Sequence, residues 1–210
     1  MDDGRWKFFQ FLSCGFALLI TILCFSCEKL GQNVQKISSD KPKTFLIQPF
    51  HDLNPDKVKF VADEIRKVYP NIKILEPISI PKEAFYEPRT RFRADTIIQI
   101  LKKNANQNEV VLALTSKDIS VTKGKNPDFG VMGLGYRPGK ACVASNFRVK
   151  NNVQFFKVAI HELGHTQGLH HCPEKTCFIR DAEGGNPTDE EKDFCPKCKN
   201  FLKTKNWKFS

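Results

Sequence analysis

The residues with the clearest chemistry lie between positions 161 and 171, in the run His-Glu-Leu-Gly-His-Thr-Gln-Gly-Leu-His-His. Residues four apart share one face of a helix, so His161 and His165 could grip a single metal ion. Gly168 could adopt a left-handed conformation and end the helix, letting the chain turn back with His171 as third ligand. Three imidazoles leave the fourth tetrahedral position of a zinc ion open, as in a catalytic site.

Glu162 directly follows the first of these histidines, beside the place where a bound water would sit. Zinc acidifies such a water, and Glu162 could accept its proton and return it to a leaving amine. Four of the five His residues lie within eleven positions, so a polar helix end with fortuitous histidines is the weaker interpretation. His170 does not fit the ligand spacing and is expected to be exposed or to support a ligand.

Further potential ligands are four cysteines near the C-terminus: Cys172, Cys177, Cys195 and Cys198. Four thiolates in two close pairs suit a closed, structural zinc site, which would fold a tail with little core of its own. The alternative is a pair of disulfides, which an oxidising compartment would permit. The pattern predicts two zinc ions per chain, one catalytic and one structural, and leaves Cys142 as a small buried hydrophobe.

The first 27 residues are typical of a targeting segment, because a basic start precedes an apolar run over residues 8–26. A small residue followed by Cys27 resembles a bacterial lipoprotein signal, in which that Cys carries the lipid. An uncleaved membrane anchor or an ordinary cleaved signal would explain the same run. Residues 28–43 are polar and would form a flexible tether. We therefore expect an exported, membrane-tethered protein, in the periplasm or at the cell surface.

Length and charge bound the remaining possibilities. The chain has 210 residues and a formal net charge of +10, which suits one compact domain, residues 44–210, after the terminal extension. A solvated lysine-rich surface explains the charge, and attraction to anionic lipids or acidic substrates is the sharper interpretation. No zinc-finger spacing, ribonucleoprotein motif or basic heptad helix accompanies it, so we expect no nucleic-acid partner. We expect a monomer.

Hydrophobic periodicity indicates the elements that must position these residues. Strands are predicted at 44–50, 72–75, 109–115, 129–136 and 141–145, and helices over 55–69, 93–103 and 152–169. Loops are expected at 76–88 and 124–128, and an irregular Cys-rich end follows the last helix. The order β-α-β-α-β-β-β-α predicts an α/β (α+β) domain in which helices cover a mixed, twisted sheet.

The His-Glu run joined directly to four cysteines resembles the archaemetzincin family of metzincin-type zinc metallopeptidases. The family has four, seventeen and two residues between its successive cysteines, and this sequence matches all three gaps. Residues 112–148 resemble the family's central strands, and the likeness covers roughly residues 44–202. It implies a metzincin-like fold, a catalytic zinc on the three histidines, Glu162 as general base, and a structural zinc on the four cysteines.

Two features depart from the family pattern. Ile179 stands where the family has a Met that forms an apolar floor below the zinc; Ile has a similar volume but is stiffer. The second departure is the export signal, since many members of the family are soluble intracellular proteins. The resemblance also implies that peptides bind beside an edge strand, for which residues 129–136 are the candidate; a plain sheet edge explains the same residues equally well.

These patterns favour an exported zinc peptidase that hydrolyses bonds in a peptide or protein substrate. A catalytically inactive, zinc-containing binding module at the cell surface is the alternative. Glu162 argues against it, since a binding site needs no base there, whereas Ile179 allows it. A disulfide-stapled, adhesin-like domain without metal is the third possibility.

Overall fold

The computed structural model describes residues 41–209. The predicted targeting segment and most of the predicted tether at 28–43 lie outside the described residues, so both stay predictions. Among residues 41–209, no helix combines the length and the apolar content needed to cross a bilayer.

Within that range the chain forms nine strands and four α-helices. The strands are β1 (Thr44–Pro49), β2 (Ile72–Ile74), β3 (Phe85–Tyr86), β4 (Arg91–Arg93), β5 (Glu109–Thr115), β6 (Ile119–Lys123), β7 (Asn126–Val131), β8 (Gly133–Gly135) and β9 (Ala141–Ser145). The helices are α1 (Pro55–Val68), α2 (Ala94–Leu101), α3 (Asn152–Thr166) and α4 (Pro196–Lys203). α1 begins as predicted, because the Asn54 side chain accepts a hydrogen bond from the Asp56 amide at 2.7 Å.

The principal sheet has the order β2-β1-β5-β9-β8. Its first four strands are parallel, and β8 joins antiparallel as an edge. β5 lies in the middle and is buried from Val110 to Thr115, as its continuous apolar run predicts. Because side chains alternate along a strand, Leu112 and Leu114 face one core while Val111 faces another. The predicted mixed sheet is therefore present.

Helices cover both faces of this sheet. α1 and α3 pack on one face with the C-terminal segment, and α2 packs on the other with part of a second sheet. The Trp207 ring lies 5.8 Å from that of Phe45 and 5.5 Å from that of Tyr69, and the Lys208 amide donates to the Val68 carbonyl at 2.8 Å. These contacts fasten residues 207–208 to β1 and to the end of α1.

The second sheet, of order β3-β4-β6-β7, corrects the prediction in several places. The stretch expected as a loop at 76–88 contains β3, and most of the loop expected at 124–128 belongs to β7. The strand expected at 129–136 splits at Met132, so that β7 and β8 lie in different sheets. Ion pairs help to hold these short strands beside the apolar contacts of Phe92 and Ile119: Arg91 lies 2.7 Å from Asp118 and 2.9 Å from Asp128. Such strands leave little hydrophobic signal.

Candidate active site and metal centres

α3 ends in a turn that reverses the chain, three residues earlier than predicted. The Gly168 amide donates to the His165 carbonyl at 2.8 Å, and the Leu169 amide donates to the Gly164 carbonyl at 3.1 Å. These are the two hydrogen bonds of a Schellman motif. Gly168 has a φ of 108°, a conformation that glycine adopts without steric cost. The reversal returns the chain to the helix and brings His171 beside it.

The three histidines of the predicted catalytic centre converge. One ring nitrogen from each of His161, His165 and His171 lies within 4.8 Å of the others. Nε2 of His165 and Nε2 of His171 are 3.1 Å apart. Two nitrogens bound to one tetrahedral zinc at about 2.1 Å lie roughly 3.4 Å apart, so these donors fit a zinc ion. His170 is exposed and outside the cluster.

The other ring nitrogen of each α3 histidine has its own partner. Nδ1 of His161 lies 2.8 Å from the Phe178 carbonyl oxygen, and Nδ1 of His165 lies 2.8 Å from the Leu169 carbonyl oxygen. A carbonyl only accepts hydrogen bonds, so Nδ1 carries the proton in both rings and Nε2 keeps its lone pair. The fold therefore selects the tautomer that binds metal.

His171 is supported by a carboxylate instead. Its Nδ1 lies 3.1 Å from Oδ2 of Asp181. A hydrogen bond from the Glu183 amide at 2.9 Å, together with the charge of His171, holds the pKa of Asp181 below its usual range. The carboxylate thus stays charged beside the ring. The sequence prediction missed Asp181, because it lies in a loop ten positions beyond His171 and no short-range pattern links the two.

Burial controls the charge of the helix histidines. It lowers the pKa of His161 to about 3 and the pKa of His165 to about 4, and the neighbouring imidazoles add to the effect. Both rings are therefore neutral near pH 7. A metal ligand must be deprotonated, so the cluster is prepared to accept a cation.

Glu162 lies on α3 against the backbone of β8. Its side chain is 7% exposed, and burial raises its pKa to about 8. A Cβ added to Gly133 would lie 2.5 Å from Oε1 of Glu162, and one added to Gly135 would lie 2.7 Å from the Glu162 carbonyl oxygen. Both glycines therefore permit a closer approach of strand and helix than any side chain allows. The glycine alternation in β8 is the only sequence signal of this approach.

Ile179 is fully buried below α3. Its Cδ1 would lie 3.1 Å from a Cβ added to Gly164, the residue before His165. The carbonyl of Ile179 accepts a hydrogen bond from the Cys172 amide at 2.8 Å. An apolar side chain thus lies under the histidine helix, at the position where the sequence predicts the floor of the zinc site.

The four C-terminal cysteines form a second cluster, with all Sγ atoms within 4.8 Å of one another. Sγ of Cys172 and Sγ of Cys195 are 3.7 Å apart, whereas two sulfurs bound at about 2.3 Å to one tetrahedral zinc lie roughly 3.8 Å apart. Burial, reinforced by the neighbouring sulfurs, raises the pKa of Cys177 to about 11, and a bound cation would stabilise its thiolate. No disulfide forms among the described cysteines, and Cys142 is buried alone.

Two of these cysteines lie at the start of α4, an α-helix that the sequence prediction missed. Cys195 occupies the N-cap position of α4 and Cys198 lies in its first turn, so the tail expected to be irregular is partly helical. Pro196 at the first helical position favours that start, because its fixed φ suits a helix N-terminus.

A cavity of about 520 Å³ opens in front of the histidines. Its lining combines the three histidines, Glu162 and the glycines of β8 with charged side chains from the surrounding loops. The charged groups that the sequence prediction missed are Lys123, Arg137, Arg148, Lys157, Arg180, Asp181 and Glu191. The combination of a buried carboxylate, three convergent imidazoles and an open cleft is suited to hydrolysis.

Fold and site define the class: a zinc metallopeptidase of the metzincin type. Residues 40–183 match the family model of the matrixins, Peptidase_M10. Solved structures agree with this class. An archaemetzincin from Archaeoglobus fulgidus, complexed with malonate, has a TM-score of 0.65 and 26% identity over 75% of this chain and 99% of its own. An archaemetzincin from Methanopyrus kandleri shares the fold, with a TM-score of 0.67 and 24% identity over 79% of this chain and 96% of its own.

The chain belongs to the archaemetzincin family. The archaemetzincin of Methanocaldococcus jannaschii is 30% identical over 165 residues, which cover 72% of this chain and 88% of that relative. The archaemetzincin of Haloarcula marismortui is 27% identical over 169 residues, covering 72% and 95%. The family predicted from the His-Glu and cysteine pattern is therefore confirmed.

Proposed function

We propose that His161, His165 and His171 hold the catalytic zinc of this peptidase and that Glu162 is its general base. The observation that carries the proposal is the convergence of three imidazole nitrogens beside a carboxylate that β8 holds in place. Neutral rings and fixed tautomers on α3 support it further.

The chain's own groups have defined tasks in this chemistry. Zinc at this site supplies Lewis-acid polarisation and lowers the pKa of water toward neutrality. Glu162 accepts the proton of the attacking water and passes it to the nitrogen of the leaving amine. The charge of a bound divalent cation would favour the ionised form of Glu162 and so oppose the effect of burial on its pKa. The carbonyls of Phe178 and Leu169 keep the two α3 rings oriented during turnover.

The substrate in this proposal is an extended peptide paired with the free edge of β8. β8 pairs with β9 on one side only, so its other edge can add a strand. Gly133 and Gly135 bring β8 into contact with Glu162. A peptide on this edge would therefore pass directly in front of the base and the histidine cluster. Of the predicted binding strand at 129–136, the part in β8 is the one that contacts Glu162.

We also propose a second, structural zinc on Cys172, Cys177, Cys195 and Cys198, which makes two zinc ions per chain. The close approach of the sulfurs supports it. The cluster joins the segment after His171 to the start of α4, and Ile179 lies within the loop that it closes. A cation there would hold the floor below α3 in place.

Replacing Glu162 with Gln tests the catalytic proposal. Hydrolysis of a quenched fluorescent peptide should fall by roughly 10²- to 10⁴-fold, the usual contribution of a general base, while zinc content stays at the wild-type level. Glu174→Gln, at an exposed glutamate, is the matched control and should keep full activity. Unchanged hydrolysis in Glu162→Gln would refute the assigned base. A wild type that holds zinc but cleaves no peptide would favour the binding module.

For location, we propose export and tethering to a membrane through Cys27. The apolar run at 8–26 followed by Cys27 supports this. Wild-type protein should partition with membranes and incorporate labelled fatty acid, and Cys27→Ser should lose the label. Wild-type protein that remains in the soluble cell fraction without label would refute the tether.

A further inference from the structure

One carboxylate in the active-site cavity has no part in the proposed chemistry. Glu191 lines the cavity and is 3% exposed. Within residues 41–209, no hydrogen bond or ion pair reaches its side chain. Its carboxylate oxygens are not fully buried, unlike the polar side-chain atoms that lack both solvent contact and a hydrogen-bond partner. They are therefore accessible from the cavity. A buried acceptor without a partner is costly unless a ligand supplies the donor.

The cationic side chains near Glu191 donate their hydrogen bonds to other groups. Nζ of Lys157 donates to the backbone carbonyls of Thr188 and Glu191, both at 2.6 Å. The Arg180 guanidinium donates to Oε2 of Glu190 at 2.7 Å and to a backbone carbonyl. Burial raises the pKa of Glu191 to about 7, although the charges of Lys157 and Arg180 act against the rise. The carboxylate thus remains an unpaired acceptor in an environment that favours an incoming cation.

The place of Glu191 in the cavity is set by α3. Lys157, which contacts the Glu191 backbone, lies one helical turn before His161, and Val158 beside it is an apolar part of the same lining. The part of the cavity that Val158 and Glu191 line therefore adjoins the histidine cluster. A side chain with a long aliphatic stem and a cationic end could pack its stem on Val158 and its charge on Glu191.

We propose that Glu191 is a specificity-determining residue that selects peptides with Lys or Arg next to the cleaved bond. This inference rests on the proposed peptidase function. The Lys ammonium or Arg guanidinium donates to the Glu191 carboxylate, and the ion pair is shielded from water by the walls of the cavity. Neither Glu162 nor the histidines contribute to this selection.

Matched peptides test the proposal. In a peptide that the wild type cleaves, each residue flanking the cleaved bond is replaced in turn by Lys or by norleucine, which keeps the stem and removes the charge. At one of the two positions the wild type should prefer Lys in kcat/KM by roughly ten- to hundredfold, as expected for a shielded charge-assisted hydrogen bond. Glu191→Gln should bring this ratio close to one. Glu174→Gln, at an exposed glutamate, is the matched control and should keep the preference.

Two further variants separate selection from structure. Glu191→Asp keeps the charge and should retain a preference for a cationic residue, and Glu191→Lys should reverse it to Glu over Gln. Zinc content and circular dichroism must match the wild type in each. Equal Lys and norleucine rates at both positions in the wild type would overturn the inference and leave the peptidase intact. A Glu191→Gln variant that kept the wild-type ratio of kcat/KM for Lys over norleucine would also overturn the inference. A wild type that cleaves no peptide refutes the proposed function and this inference together.

Discussion

Replacing Gly133 with Ala should strongly lower the peptidase activity while sparing the fold. The added Cβ would lie 2.5 Å from Oε1, 2.7 Å from Cγ and 2.9 Å from Cδ of Glu162. Non-bonded heavy atoms rest at roughly 3.5 Å, so the carboxylate must withdraw from β8 by about 1 Å. Glu162 is buried, which leaves its side chain little room to move elsewhere.

The size of the effect follows from that displacement. A misplacement of about 1 Å in a catalytic group costs roughly 10²-fold in rate, and one extra methyl group in a packed site destabilises by about 1–3 kcal/mol. Gly133→Ala should therefore lower kcat/KM about a hundredfold and leave a folded domain. Gly135→Ala should destabilise more, because its Cβ meets the Glu162 backbone carbonyl, which cannot rotate away.

Peptide hydrolysis, zinc content and urea denaturation, measured on the same samples, check this prediction. Gly185→Ala is the control, since the nearest atom to its added Cβ is the Ala182 carbonyl oxygen at 3.4 Å, an ordinary contact. Wild-type activity in Gly133→Ala would mean that the position of Glu162 is not set by β8. Loss of zinc in Gly133→Ala would mean that the substitution disturbs the histidines rather than the base.

Three further outcomes follow from the site. Cys195→Ser should lower zinc from about two ions per chain to about one and lower the urea midpoint; an unchanged zinc content would exclude the cysteine site. Asp181→Asn should weaken zinc binding by about tenfold, the low end of the range for such partners because Asp181 is exposed, and equal affinity in competition with a chelator would contradict its support of His171. Glu191→Gln should raise the free energy of unfolding at pH 8 by about 1–3 kcal/mol. Burial raises the folded pKa of Glu191 to about 7, so the folded wild type binds more protons than the unfolded chain and loses stability as pH rises from about 4.5 to 7. The difference between variant and wild type should therefore narrow toward pH 5, and a constant difference would contradict this explanation.

The predictable parts of this protein depend on short-range spacing. The histidine run predicts a helix with two ligands on one face, and α3 presents His161 and His165 in that way. Gly168 predicts the end of the helix, because a positive φ is intrinsic to glycine. The apolar run of β5 predicts a buried strand for a similar local reason. These features depend on bonds within about four residues, or on burial that composition alone signals.

Some elements leave no such signal. The second sheet is held partly by Arg91 between Asp118 and Asp128, and charged residues in short strands look like loop sequence. The split at Met132 depends on which neighbours β7 and β8 find across the domain. α4 has only eight residues, of which Cys198 and Leu202 are buried, so its apolar pattern is too short to indicate a helix.

The sequence by itself determined the family, the zinc ligands expected on α3, and the two separate ligand clusters, because these follow from residue types at fixed local spacing. Only the tertiary structure decided that Asp181 supports His171, that the glycines of β8 press against Glu162, and that Glu191 shares the cavity with the histidines. Each of these contacts joins segments that lie far apart along the chain or come from different elements. Their geometry depends on how the sheets and α3 pack, and that packing is a property of the whole core.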